Sequence, residues 1–72
     1  MASNWFRDKY PVGTVIRFRR RSYLPVKVGV VESHLYEAVA IVRVEGQEHR
    51  EWVGHSHILE VISRAEVNND NS

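Results

Sequence analysis

Apolar and polar positions alternate along most of this chain with the period of a strand rather than of a helix. Over residues 14–19, Thr14, Ile16 and Phe18 fall on one side and Val15, Arg17 and Arg19 on the other, the pattern of a strand with one buried face. Residues 26–32 are β-branched apart from Lys27, Gly29 and Glu32. The glycine inside that run points to a bulge, a bend or a close backbone approach. Residues 38–44, Ala-Val-Ala-Ile-Val-Arg-Val, are the most apolar stretch and predict a central strand. Two more strands are predicted over 49–53 and 58–62. Between the third and fourth, Gly46 can supply the positive φ of a tight turn.

Five strands in so short a chain cannot lie flat and still bury enough apolar surface. The predicted fold is all-β: a small five-stranded antiparallel barrel covering residues 11–63, preceded by a cap segment (1–10) and followed by a polar tail (64–72) expected to be disordered. In the cap segment, Ser3 or Asn4 can start a short helical turn that Pro11 stops, with Trp5 and Phe6 plugging one end of the barrel. The loops form an ordered series: a long basic one (20–25), a medium one (33–37), the tight turn (45–48), and a short helical turn (54–57) before the last strand. Together with Gly13 before the first strand, Val28-Gly29-Val30 in the second and Leu59-Glu60-Val61 in the last, this series resembles the SH3-like barrels of the KOW and Tudor type. The resemblance covers about residues 11–62 and implies a fold rather than a function, since such barrels serve many kinds of site. The chain departs from the KOW pattern at Leu24-Pro25-Val26-Lys27-Val28-Gly29, where a Lys-Gly-Lys-like turn is usual, and in its longer, more basic first loop.

Charge divides the chain. Residues 1–27 carry seven Lys/Arg and one Asp, whereas residues 28–72 carry three Arg against seven Glu and one Asp, for a net charge of +1. Arg17, Arg19, Arg20, Arg21 and Lys27 are concentrated in one strand and the loop after it. Guanidinium groups bind phosphate through two parallel hydrogen bonds, and a nearby tyrosine such as Tyr23 can stack on a base. The plainer alternative is that these cations pair with the glutamates of the second half and contribute little. Tyr36 is the second tyrosine expected on a loop; a cage made of Tyr23, Tyr36 and Trp52 is disfavoured against Trp52 packing across from Arg43 or under a loop.

The chain has no cysteine, which excludes a disulfide framework, a thiol nucleophile and a cysteine zinc site. His49, His55 and His57 lie near one another in sequence, but four zinc ligands are wanted and a capping role for His55 or Ser56 at the helical turn is preferred, so no metal is expected. No nucleophile elbow, phosphate-binding glycine loop or histidine–glutamate zinc motif is present, so neither an enzyme nor a cofactor is expected. No apolar run approaches the roughly 18 residues of a membrane span, and residues 1–13 lack the apolar stretch of a secretory signal. A cytoplasmic protein is the resulting expectation. Two functions remain open: a sequence-nonspecific module for RNA or DNA using the basic first loop, or a protein-interaction module or inhibitor on a larger partner, presenting its basic face to an acidic surface or taking a peptide strand at a strand edge with Tyr36 and Trp52. The chain is expected to be a monomer or a weak homodimer joined through strand edges.

Overall fold

The computed structural model describes residues 5–64. The alternating segments become β1 (Val15–Phe18), β2 (Lys27–Leu35), β3 (Val39–Val44), β4 (Arg50–Gly54) and β5 (Ile58–Ser63), with helix α1 (Trp5–Lys9) before them and a 3-10 turn, η1 (His55–His57), before β5. All strands join one antiparallel sheet in the order β4-β3-β2-β1-β5. Every connection except the one to β5 is a hairpin. The last strand instead returns to pair with the first. Ser3 and Asn4 lie outside the described residues, as does the tail beyond Arg64. Among the described residues no helix is long and apolar enough to cross a membrane.

One face of the sheet supplies most of the core: Ile16 and Phe18 from β1, Val31 from β2, Ala40, Val42 and Val44 from β3, and Val53 from β4 are all buried. Ile58 and Val61 of β5 pack against them. A sheet buried on one face needs a second layer, and the other elements among the described residues are a five-residue helix and a three-residue 3-10 turn. The sheet meets this need by coiling. Lys27 and Glu51 sit two strands apart and four residues out of register, since Val31 faces Val42 and Val42 faces Glu51. On a flat sheet that offset would separate their backbones by roughly 17 Å. Their side chains nevertheless meet at 2.7 Å.

The bend has a local source in β2. Val31 is opposite Val42 and Ser33 is opposite Ile41, so Glu32 is an extra residue bulged out of the ladder. Beyond it the alternation changes phase, and His34 falls opposite Ala40. This explains why β2 runs to Leu35 when the sequence pattern ends at residue 32. Upstream of the bulge, Gly29 lies against β3 so closely that a Cβ there would overlap Val42 Cγ1 and come within 2.9 Å of the Arg43 carbonyl oxygen. In the β3–β4 turn, the Gln47 amide donates to the Val44 carbonyl at 3.0 Å. Gly46 has φ 81° there, the conformation anticipated for it.

Helix α1 closes the other end of the core. Phe6 and Tyr10 are buried, with ring centroids 5.0 Å apart. The Tyr10 carbonyl accepts from His34 Nε2 at 2.6 Å, and its hydroxyl lies 3.1 Å from His55 Nδ1. Trp5 is only half-buried and meets His55 edge-on. The plug is therefore Phe6 with Tyr10, and Trp5 covers it from outside. These contacts make residues 5–10 part of the same core as the sheet.

Gly29→Ala is expected to destabilise the fold by about 1–3 kcal/mol, because both neighbours of the new methyl belong to the packed β3 strand; urea unfolding measures it. Burial raises the Tyr10 phenol above its ordinary value of 10.0. The fold thus favours the neutral phenol: this stabilisation is complete below pH 10.0 and is lost as the pH rises through the folded-state value. Tyr10→Phe should lower stability at neutral pH by about 1 kcal/mol through the lost hydrogen bond. It should also make the alkaline limb of a stability–pH profile shallower.

Candidate functional site

The β1–β2 connection, residues 19–26, is fixed at its start and folded at its tip. Where β1 ends, the Arg19 amide donates to the His57 carbonyl of η1 at 3.0 Å. Farther along, the Leu24 amide donates to the Arg21 carbonyl at 3.0 Å, closing a turn with Ser22 and Tyr23 at its centre. This turn leaves Tyr23 79% exposed. Beneath it lies an open cleft of about 330 Å³ whose lining includes Arg20, Arg21, Tyr23, Lys27, Glu51 and His57. The coiling that brings Lys27 to Glu51 also brings β4 and η1 to the side of this loop. Three cations line the cleft against one carboxylate.

The basic run of the sequence is thereby sorted into groups with different surroundings. Arg17 points away from the core on β1 and pairs at 2.9 Å with Glu60, the residue opposite it on β5. Both are exposed and solvated, and such pairs contribute little. Lys27 pairs with Glu51 at 2.7 Å, with the glutamate side chain only 11% exposed. Arg19, Arg20 and Arg21 have no carboxylate partner among the described residues. Tyr36 stands elsewhere, in the turn after β2 with φ 57°, and its ring meets Trp52 edge-on at 6.4 Å. Arg20, Arg21, Tyr23 and Lys27 therefore converge on the cleft, while Arg17 and Tyr36 do not. Arg17 is diverted by strand alternation and by its register with Glu60. Tyr36 is diverted by the β2 extension, which carries its turn onto the β4 side.

The sequence reading missed Glu51, weighed His57 only as a metal ligand, and placed Trp52 with Tyr36 at a strand edge rather than in the basic site. Glu51 shares the inward side of β4 with Val53, and that alternation was its available signal. His57 accepts a hydrogen bond through Nδ1 from the Gly54 amide at 3.3 Å, so the histidine that supports the turn is His57 rather than His55. Trp52 is 55% exposed. It neither packs beneath a loop nor sits opposite Arg43; its cross-strand neighbour is Ile41.

Glu32 is engaged away from the arginine loop. Arg43 and Arg50 are directly opposite on β3 and β4, a destabilising arrangement for like charges. The bulged Glu32 joins them: Oε2 accepts from Arg43 Nε at 2.7 Å and Oε1 from Arg50 Nε at 2.6 Å. These bonds, first to Arg43 and then to Arg50, hold the Glu32 carboxyl below its ordinary value of 4.5. No family model, curated protein or solved structure matches the chain.

Because the Glu32 value is lowered by folding, its contribution to stability is present above pH 4.5 and is lost as the pH falls through the folded-state value. Glu32→Gln should therefore lower the melting temperature at neutral pH, where it exposes the Arg43–Arg50 repulsion. It should also flatten the acid limb of the melting-temperature profile, read by circular dichroism.

Proposed function

We propose that this protein is a small binding module for single-stranded nucleic acid, built on an SH3-like barrel, which holds phosphates with the loop between β1 and β2. The observation that carries this reading is the state of Arg20 and Arg21. Both are exposed, have no carboxylate partner among the described residues, and flank Tyr23 at the rim of an open cleft. An unpaired guanidinium retains its full capacity for phosphate. An exposed tyrosine ring beside it offers a stacking face to an unpaired base. The strand order β4-β3-β2-β1-β5 and the short turn before β5 support the SH3-like assignment. Most of the affinity comes from phosphate contacts, and an intracellular location follows from the nature of the ligand.

A second reading, a protein-docking module, is favoured by a different observation. Tyr36 and Trp52 are exposed together beside β4, which is an edge strand of the sheet and able to accept a peptide strand. Competition with free oligonucleotide separates the two, since it should leave a contact at Trp52 intact.

Fluorescence anisotropy with labelled single-stranded RNA and DNA tests the first reading. Log affinity should fall linearly with log salt, with a slope of about −0.7 per phosphate engaged. Charge reversal at Arg20 and Arg21 should abolish binding, and Tyr23→Ala should weaken it by about 1–3 kcal/mol. Arg17→Ala, which removes a cation from β1 outside the cleft, should leave the affinity within about twofold. Affinity that is insensitive to salt or to the double reversal would remove the phosphate-binding reading.

A further inference from the structure

A surface that only gripped phosphate would gain nothing from a carboxylate in its cleft, yet Glu51 lines this one. Its Oε2 is taken by Lys27 Nζ at 2.7 Å, with His49 Nε2 at 3.9 Å. Its Oε1 has no hydrogen-bond partner among the described residues, and it is not sealed from solvent. Oε1 is therefore open and Oε2 keeps a second lone pair beside Lys27, so two acceptor sites remain on a carboxylate held in place by the ion pair. His57 lines the same cleft. Because the Gly54 amide can only donate, Nδ1 of His57 must accept, which places the proton of the neutral ring on Nε2. The cleft thus combines an open carboxylate oxygen, a ring N–H donor, two arginines and a stacking tyrosine.

Building on the proposed nucleic-acid reading, we infer that this cleft recognises guanine, with the Glu51 carboxylate accepting from the base while Arg20 and Arg21 hold the neighbouring phosphates. Guanine is the one common base whose Watson–Crick edge places two donors side by side, N1–H and the N2 amino group, to meet a carboxylate. Uracil offers a single N3–H between two carbonyl oxygens. Cytosine and adenine present an amino group beside a bare ring nitrogen, which a carboxylate oxygen would repel. The guanine O6 is then available to the His57 N–H or to an arginine, and Tyr23 covers the ring. Unpaired bases are commonly read in this way, by edge hydrogen bonds combined with aromatic stacking. The cleft, at about 330 Å³, lies at the small end of the roughly 300–1,000 Å³ found for ligand pockets. A single base with its phosphates is an appropriate occupant, so the preference acts at one nucleotide within a backbone-dominated interaction.

The test is anisotropy with a labelled oligouridine and with the same oligomer carrying one central guanosine, inosine, adenosine or cytidine. Guanosine should raise the affinity about tenfold over uridine, the scale of one good two-bond base contact. Inosine, which lacks only the N2 amino group, should lose much of that gain. Glu51→Gln should abolish the guanosine preference, read as the ratio of the guanosine to the uridine oligomer's affinity within the variant, with a thermal melt as the check on folding. The inosine comparison uses the unaltered protein and decides the matter even if that variant does not fold. Equal affinity for all five oligomers with a steep salt dependence would overturn guanine recognition and leave the phosphate-binding reading standing. Absence of binding to every oligomer at low salt would overturn both.

Discussion

The organising constraint is that a single sheet must provide both walls of its own core. A domain of this size buries a smaller fraction of its surface than a larger one does, and here the one helix is too short to form a second layer. The sheet therefore coils until β4 and η1 come round to the loop that follows β1. The Glu32 bulge and the close approach at Gly29 are the local means: one adds a residue to the outer side of β2, and the other removes a side chain where β2 meets β3. Phe6 and Tyr10 then fill the end that coiling leaves open. The cleft follows from the same geometry, since it lies where Lys27 and Glu51 are brought together.

Electrostatics divides the surface in a way that total charge does not reveal. Glu32 serves two arginines at once, and Glu60 and Glu51 each serve one cation. Every one of these pairs links residues on strands: register sets Arg17 against Glu60, the bulge turns Glu32 to its two arginines, and coiling brings Lys27 to Glu51. The arginines on the β1–β2 connection lie outside any register, so no carboxylate is delivered to them. The geometry of the sheet thus pairs the cations of its strands and spares those of the loop. The result is a nearly neutral protein with one concentrated positive rim.

Much of the fold could be read from the sequence because strand alternation survives in single residues such as Ile16, Arg17 and Phe18. The alternation failed at Glu32, where an extra residue reverses the phase and makes the end of β2 resemble a loop. The candidate site was less legible. Its basic members were visible as a run, but separating Arg17 and Lys27 from Arg20 and Arg21 requires knowing that β1 returns to β5 and that β2 coils towards β4. The inward side of Glu51 could have been inferred from Val53, two residues away. The place of His57 in the cleft could not, because the helical turn was legible but its position against the β1–β2 loop, fixed where its carbonyl receives the Arg19 amide, was not.

The return of the last strand to the first also bears on how the chain reaches its native state. β1 has only one neighbour, β2, until β5 is available, and the hydroxyl of Tyr10 must find His55 across 45 residues of sequence. Loop-closure entropy is spent before such distant contacts reward it, so sheets of this kind fold more slowly than helical domains of equal length. On the ribosome, residues 5–57 can assemble the β1–β4 meander, but the sheet is incomplete until residues 58–63 have emerged. Until then β1 presents an unpaired edge, and the arginine loop beside it is already displayed.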